Sequence, residues 1–295
     1  MDGPERYRHI IPDFQGFQEI GCKPLGSSVR INTLKASQSC LLQRLQEKAL
    51  DFRSFPWYPL GLRLKALKPG KLVEHLLGYF HVQEEVSMVP PLVLDPLPGE
   101  VVLDLCASPG SKTTQISQQM QNCGLVVANE PSLSRISALR ANCERLGAVN
   151  VAITRYDGRR FPSLLFDRAL VDVPCSGEGR ARRDPGIWMR SSKRRSLDLQ
   201  ALQVGLLSRA VELTKPGGTI VYSTCTYAPE ENEMVVEKVL DRARLEKISI
   251  PGLTSSPGLL AWEGRELDWE LERCARYYPH QNDTGGFFVA KLQRE

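Results

Sequence analysis

No stretch of this 295-residue chain stays apolar for the roughly 18 residues that a membrane helix requires, so no spanning segment is expected. The opening Met1-Asp2-Gly3-Pro4-Glu5-Arg6 lacks the basic-then-apolar layout of a secretory signal, which predicts a cytoplasmic protein. In that reducing compartment the eight cysteines are expected as free thiols. They form no Cys-x-x-Cys pair, and the four histidines are scattered, so a metal site is not expected. Internal repeats and low-complexity tracts are missing too. A hydrophobic fraction of 42% and a charged fraction of 24% exclude wholesale disorder and fibrous classes, and the length allows one full α/β domain plus a smaller unit.

Charge is unevenly spread. Residues 1–72 carry 12 Lys and Arg against 6 Asp and Glu, leaving 26 against 28 for the rest, so the N-terminal part is suited to an anionic partner or to a solvated basic face. Residues 25–70 read as a small α+β unit: a strand over Ser28–Leu34, a helix with Leu41, Leu42, Leu45 and Leu50 on one face, and a strand near Gly61–Leu64. Lys68-Pro69-Gly70-Lys71 punctuates its end, which divides the chain into 1–72 and 73–295. From about residue 100, apolar runs at 101–105, 124–128, 149–153, 168–172, 218–222 and 286–292 alternate with helical stretches near 111–121, 132–147, 196–214 and 230–243. That alternation predicts an α/β fold with a doubly wound, mostly parallel sheet of Rossmann-like type, in which ligands bind at the carboxyl ends of the strands.

The first strand of the series leads into Cys106-Ala107-Ser108-Pro109-Gly110-Ser111-Lys112-Thr113, a tight small-residue loop opening onto a helix. Small residues let backbone approach a ligand, and the helix start offers free N–H groups. A phosphate-binding P-loop needs glycine where Cys106 and Ser111 stand, so a nucleotide-like ligand without a triphosphate fits better. Glu130, after the second strand, is placed to accept from ribose hydroxyls. Asp157-Gly158, after the third, suits an adenine amine, with room for the ring at the glycine. Each acid taken singly is equally a helix cap or turn residue.

The fourth strand ends in Asp172-Val173-Pro174-Cys175-Ser176-Gly177-Glu178-Gly179, and the fifth in Ser223-Thr224-Cys225-Thr226. Two cysteines just past adjacent strands face one crevice. Such a pair with a carboxyl group suits methylation of carbon 5 of cytosine, a poor nucleophile until a thiolate adds to carbon 6. A carboxyl such as Asp172 can stabilise charge at the ring nitrogen, and a second base-like group must assist release.

These motifs, together with Val29–Lys35, Val82-Gln83-Glu84-Glu85, Pro229-Glu230-Glu231-Asn232-Glu233 and Gly285-Gly286-Phe287-Phe288, resemble the Nol/Nop/Sun family of RNA cytosine-5 methyltransferases along nearly the whole chain. The resemblance implies S-adenosylmethionine as cofactor, Cys225 as nucleophile, Cys175 in product release, and Asp172 and Lys112 in the active centre. It implies cofactor contacts from Cys106, Ala107, Ser108, Pro109, Gly110, Ser111, Lys112, Glu130, Asp157 and Asp172, and Arg135 and Gly158 are expected to join them. Ser111 in place of the family's usual glycine, with Gly179 closing Ser-Gly-Glu-Gly, looks most like the bacterial type acting on small-subunit ribosomal RNA.

Between Arg180 and Arg195 lie seven basic residues against the single acid Asp184, suited to RNA phosphates, with Trp188 either stacking on a base or anchoring the loop. The basic N-terminal unit, with Arg30 and Lys35 flanking its first strand, is expected as a second RNA contact. A monomer acting on rRNA, or next on tRNA, is expected. The alternatives are a DNA cytosine-5 methyltransferase, against which Cys225 stands, and a catalytically idle RNA-binding assembly factor.

Overall fold

Five of the six apolar runs after residue 100 pair as parallel strands, and the helices between them cover both faces of the sheet. The computed structural model describes residues 3–65 and 68–295; Met1 and Asp2 of the sequence start, and Ala66 and Leu67 of the expected small unit, lie outside the described residues. Four strands, β1 (Ser27–Ile31), β2 (Phe52–Ser54), β3 (Gly61–Leu64) and β4 (Phe80–Val82), form an antiparallel sheet in the order β2-β3-β1-β4. The helix α1 (Phe14–Gly21) precedes it, and α2 (Gln38–Glu47) packs Leu41 and Leu45 onto its inner face against Val29, Ile31, Leu62, Leu64 and Phe80. The fourth strand of this sheet therefore comes from beyond residue 72, after the short helix α3 (Val73–Leu76).

The expected strand over 28–34 stops at Ile31 because Asn32 turns the chain: its side-chain amide donates to Gly78 O and Leu146 O, both at 2.8 Å, and its oxygen accepts from Leu34 N. The helix expected to include Leu50 ends at Glu47, and Ala49 adopts the left-handed region with φ 52°.

The large sheet contains parallel strands β5 (Val101–Asp104), β6 (Leu125–Asn129), β7 (Val151–Thr154), β8 (Phe166–Asp172) and β9 (Thr214–Thr224) in the order β7-β6-β5-β8-β9. Phe287–Arg294 continues it antiparallel to β9, and Ala275–Tyr277 follows. This is the mostly parallel, doubly wound α/β architecture expected from the alternation. Helices α4 (Val89–Leu94) and α5 (Ser111–Gln119) cover one face, where Val89, Leu94, Ile116 and Met120 meet Val102, Val126, Leu170 and Val221. Helix α6 (Leu133–Leu146) lies between β6 and β7 in the chain; α7 (Ile187–Arg190) and the long α8 (Lys193–Leu213) follow β8. On the opposite face, α8 packs Leu206, Leu207, Ala210 and Val211 against Leu103, Ala169, Val171 and Ile220.

One expected helix is largely missing. Over 230–243 there is a single α-turn at Glu233–Val236 and a 3-10 turn at Glu237–Val239, after which Ala243–Glu246 pairs as a strand. Glu230, Glu231, Asn232 and Glu233 are all buried and bonded to other elements, so this segment is a polar clamp and not an amphipathic surface helix.

Candidate active site

All the strand-end loops singled out in the sequence lie along the carboxyl edge of β7-β6-β5-β8-β9. Between β5 and α5 the loop turns at Gly110, whose φ of 101° disfavours any side chain and whose N–H donates to Ala107 O at 2.7 Å. Ala107 N donates to Asn129 O at 2.9 Å, and the Asn129 side chain donates to Leu105 O and Tyr156 O, which ties the first three strand ends together. Arg135 joins the loop to the second acid: it donates to Ser108 O at 2.9 Å and lies 3.2 Å from Glu130, while Ser108 Oγ donates back to Arg135 O. Glu130 is buried and accepts from Ser132 N at 2.9 Å.

Asp157 and Gly158 occupy more ordinary positions. Asp157 caps the following turn, accepts from Arg159 N at 3.1 Å and pairs with the Arg159 guanidinium at 2.6 Å, which lowers its pKa. A Cβ on Gly158 would lie 2.6 Å from Leu206 Cδ2, so this glycine lets β7's loop pack on α8. Burial pushes the Cys106 thiol well above its ordinary range. Sequence reading passed over Asp104. It ends β5 fully buried, accepts from Thr113 Oγ1 at 2.7 Å on one oxygen, and has no partner for the other. Burial raises its carboxyl to about 7. The available signal was its position as the last residue of the first central strand.

The two cysteines meet. Cys175 Sγ and Cys225 Sγ are 3.3 Å apart, and Cys225 N donates to Cys175 Sγ at 3.4 Å. Beside them Lys112 Nζ donates to Asp172 Oδ2 at 2.7 Å, and Ser223 Oγ donates to Asp172 Oδ1 at 2.7 Å. A hydrogen bond from the Cys175 thiol holds Cys225 below the ordinary thiol range against the effect of burial, helped by the Arg180 and Lys112 cations. The same bond and burial push Cys175 well up, and the Glu231 carboxylate adds to this. Cys225 is thus the more acidic sulfur of the pair, with the Cys175 thiol placed as its hydrogen-bond donor.

A buried network sets that spacing. The hydroxyl oxygens of Ser176 and Thr226, each following a cysteine, lie 2.8 Å apart, and both are within hydrogen-bond reach of the Glu178 carboxylate. Glu231 accepts from Ser176 N and from Gln203 of α8, both at 2.9 Å. Gly179 N donates to Cys225 O at 2.9 Å, and Gly286 N to Gly179 O at 2.8 Å; a Cβ at Gly179 would collide with Gly286 O, so only glycine fits this crossing. Asn232 bonds Thr224 Oγ1 and Thr226 O, while Glu233 forms a fully buried pair with Arg276.

The basic residues sort differently from their count. Arg30, expected to flank an RNA-binding strand, is fully buried and bonds Gln83, Gln118 and Thr114; burial lowers it to about 10. Lys35 is exposed. In the 180–195 segment, Arg182 is buried and committed to Lys23 O, Thr284 O and Asp283, Arg190 pairs with Asp184, and Lys193 with Glu263. Arg180, Arg183, Arg194 and Arg195 are exposed. Trp188 stacks on Tyr227 at 6.1 Å and 15°, so it anchors its loop. Among the described residues no group of three or more His, Cys, Asp or Glu is placed to hold a metal ion, and no helix is long and apolar enough to cross a membrane.

Residues 91–293 match the model of a family described as 16S rRNA methyltransferase RsmB/F. The tRNA (cytosine(49)-C(5))-methyltransferase of Pyrococcus abyssi is 40% identical over 297 residues, which cover 98% of this chain and 94% of that protein. The ribosomal RNA small subunit methyltransferase F of Vibrio vulnificus is 38% identical over 302 residues, 98% of this chain but 63% of its own length. A crystal structure of a methyltransferase homolog from Pyrococcus horikoshii superposes with a TM-score of 0.85 at 35% identity, covering 95% of this chain and 90% of that one.

Proposed function

Since the chain belongs to the 16S rRNA methyltransferase RsmB/F family, we propose that it transfers a methyl group from S-adenosylmethionine to carbon 5 of a cytosine in RNA, with Cys225 as nucleophile. The observation that carries this reading is the asymmetric thiol pair at the ends of β8 and β9, 3.3 Å apart. Cys225, the more acidic sulfur, adds to carbon 6 and leaves electron density at carbon 5. Lys112, bonded to Asp172, supplies the proton or hydrogen bond that the ring nitrogen needs as charge develops. After methyl transfer, the carbon 5 proton is lost through Cys175, whose thiol passes its own proton to water as it takes up the incoming one; the carbon 6 to sulfur bond breaks, the ring nitrogen returns to Lys112 any proton it received, and Cys225 leaves as thiolate.

The residues fit the cofactor. Buried carboxylates at Asp104, with one unpartnered oxygen, and at Glu130 suit a ligand that brings a positive charge, an ammonium group and ribose hydroxyls. When bound it supplies an electrophilic methyl group. Ala107 to Gly110 would line its path, Arg135 would fix the loop against Glu130, and Asp157 would have to exchange Arg159 for an adenine amine.

The family description and the rRNA relatives support ribosomal RNA as substrate, and the tRNA relative, matched over nearly its whole length, supports transfer RNA as the second reading. The small N-terminal unit would add RNA contacts through exposed residues such as Lys35 and Arg53. The test is methyl transfer from radiolabelled S-adenosylmethionine to total RNA of cells lacking this gene. Cys225→Ala should abolish transfer, and Cys175→Ala should accumulate a protein–RNA adduct stable to denaturant. An adduct with Cys225→Ala instead would reverse the roles, and a wild type that labels no RNA would sink the enzyme reading. Mapping 5-methylcytosine in that RNA before and after the reaction identifies the substrate.

A further inference from the structure

Among the seven basic residues of the 180–195 segment, Arg180 is the one whose charge bears on the thiol pair. Gly179 N donates to Cys225 O at 2.9 Å, so Arg180 begins one residue from a fixed crossing with the nucleophile's own peptide, and its N–H donates to Gly177 O at 3.0 Å. Gly177 takes φ 86°, and a Cβ there would lie 2.8 Å from Arg180 Nη2 and 3.2 Å from Nε. The guanidinium is thus folded back over Gly177, two residues after Cys175. It is exposed, and among the described residues no carboxylate, carbonyl or side chain pairs with it. Lys112, the other cation at the thiols, is bound to Asp172. An arginine held in place by backbone and glycine packing, yet left without a carboxylate, is suited to an oxyanion brought by a ligand.

We propose that Arg180 binds the phosphate flanking the target nucleotide, clasping its oxygens while the base lies against Cys225. The inference rests on the RNA methyl-transfer reading above. Contacts to phosphate fix register without reading sequence, so this residue anchors the strand at the reacting nucleotide whatever the surrounding bases. The same guanidinium favours the anionic form of the Cys225 sulfur, which is also faced by Cys175, Lys112 and Asp172.

The experiment uses the full chain and total RNA from cells lacking the gene, with initial rates at limiting RNA across a potassium chloride series, and iodoacetamide labelling of Cys225 across pH without RNA. Arg180→Gln should lower the rate about tenfold at low salt and flatten the log-rate against log-salt slope by about 0.7, the release of one counterion from a single strand. It should also move Cys225 labelling to higher pH. Arg180→Lys should keep the slope and lose part of the rate, because a point charge replaces a fork. Arg183→Gln should leave Cys225 labelling where it is. An unchanged slope and rate in Arg180→Gln would overturn the inference. So would a flattened slope with no change in Cys225 labelling, since the guanidinium would then act away from the reacting nucleotide. If wild type is active and Arg180→Gln equals it, this inference alone fails; if wild type labels no RNA, the underlying reading fails and takes this one with it.

Discussion

Cys225 has a thiol donor and two cations within reach, whereas Cys175 has burial and the Glu231 carboxylate. The largest single influence on Cys225 is the hydrogen bond from Cys175, so Cys175→Ala should move the pH at which Cys225 is half-labelled by iodoacetamide upward, toward the ordinary thiol range. The sign follows because the bond stabilises the thiolate and not the thiol. Peptide mass spectrometry over a pH series reads this without RNA, and a midpoint that stays put or falls would mean that Cys175 does not donate. At this scale the pair itself was legible, since each cysteine falls within three residues of the end of a strand of the alternating series. The arginines were not. Arg30, Arg182 and Arg276 add to any count of basic charge, yet all three are buried on partners such as Gln118, Thr284 and Glu233, between 43 and 102 positions away in the chain. A guanidinium looks the same in sequence whether it meets a phosphate or a backbone carbonyl.

At the level of elements, the chemistry depends on two strand-end loops being locked at one spacing, and the lock is the hydroxyl pair Ser176–Thr226 on the buried Glu178. Thr226→Val keeps the shape but removes three hydrogen bonds, including the one received from Ala228 N. Leaving buried polar groups short of a partner costs about 1–3 kcal/mol. Thermal melting should show that loss. Steady-state assays should show kcat down by about tenfold, near the lower end of what a misplaced reacting group costs, with KM for the cofactor unchanged because β5, β6 and their loops are untouched. A lowered melting temperature with wild-type kcat would mean that the network supports the fold alone. The strands behind these loops were readable because β-branched runs bury on both faces. The Pro229–Glu233 segment was not readable as a clamp, because its polar side chains suggest a solvated helix until their partners on β9, α8 and the strand Ala275–Tyr277 are in place.

For the whole molecule, the question is what joins the small antiparallel sheet to the large one. Arg30 on β1 reaches α5 through Gln118 and Thr114, Gln118 returns a bond to Ile31 O at 3.0 Å, and His81 of β4 bonds Ser111 Oγ at 2.8 Å at the start of the same helix. The helix that carries Lys112 into the thiol site is therefore gripped by the N-terminal sheet. Arg30→Met fills much of the same volume but leaves Gln83, Gln118 and Thr114 short of a donor. A loss of about 2–4 kcal/mol is expected from unpaired buried groups. For a chain of this length that lowers the melting temperature by roughly 3–6 °C. Lys35→Ala, on the exposed side of the same unit, should leave the melting temperature within about 1 °C and instead flatten the salt dependence of RNA binding by about one counterion. Melting and salt titration on the two variants separate the roles that one basic N-terminal composition conflates: structural coupling for Arg30 and RNA contact for Lys35. If Arg30→Met melted like wild type, the coupling to α5 would have to come from β4 alone, and His81→Phe would then be the variant that loosens Lys112 and slows methyl transfer.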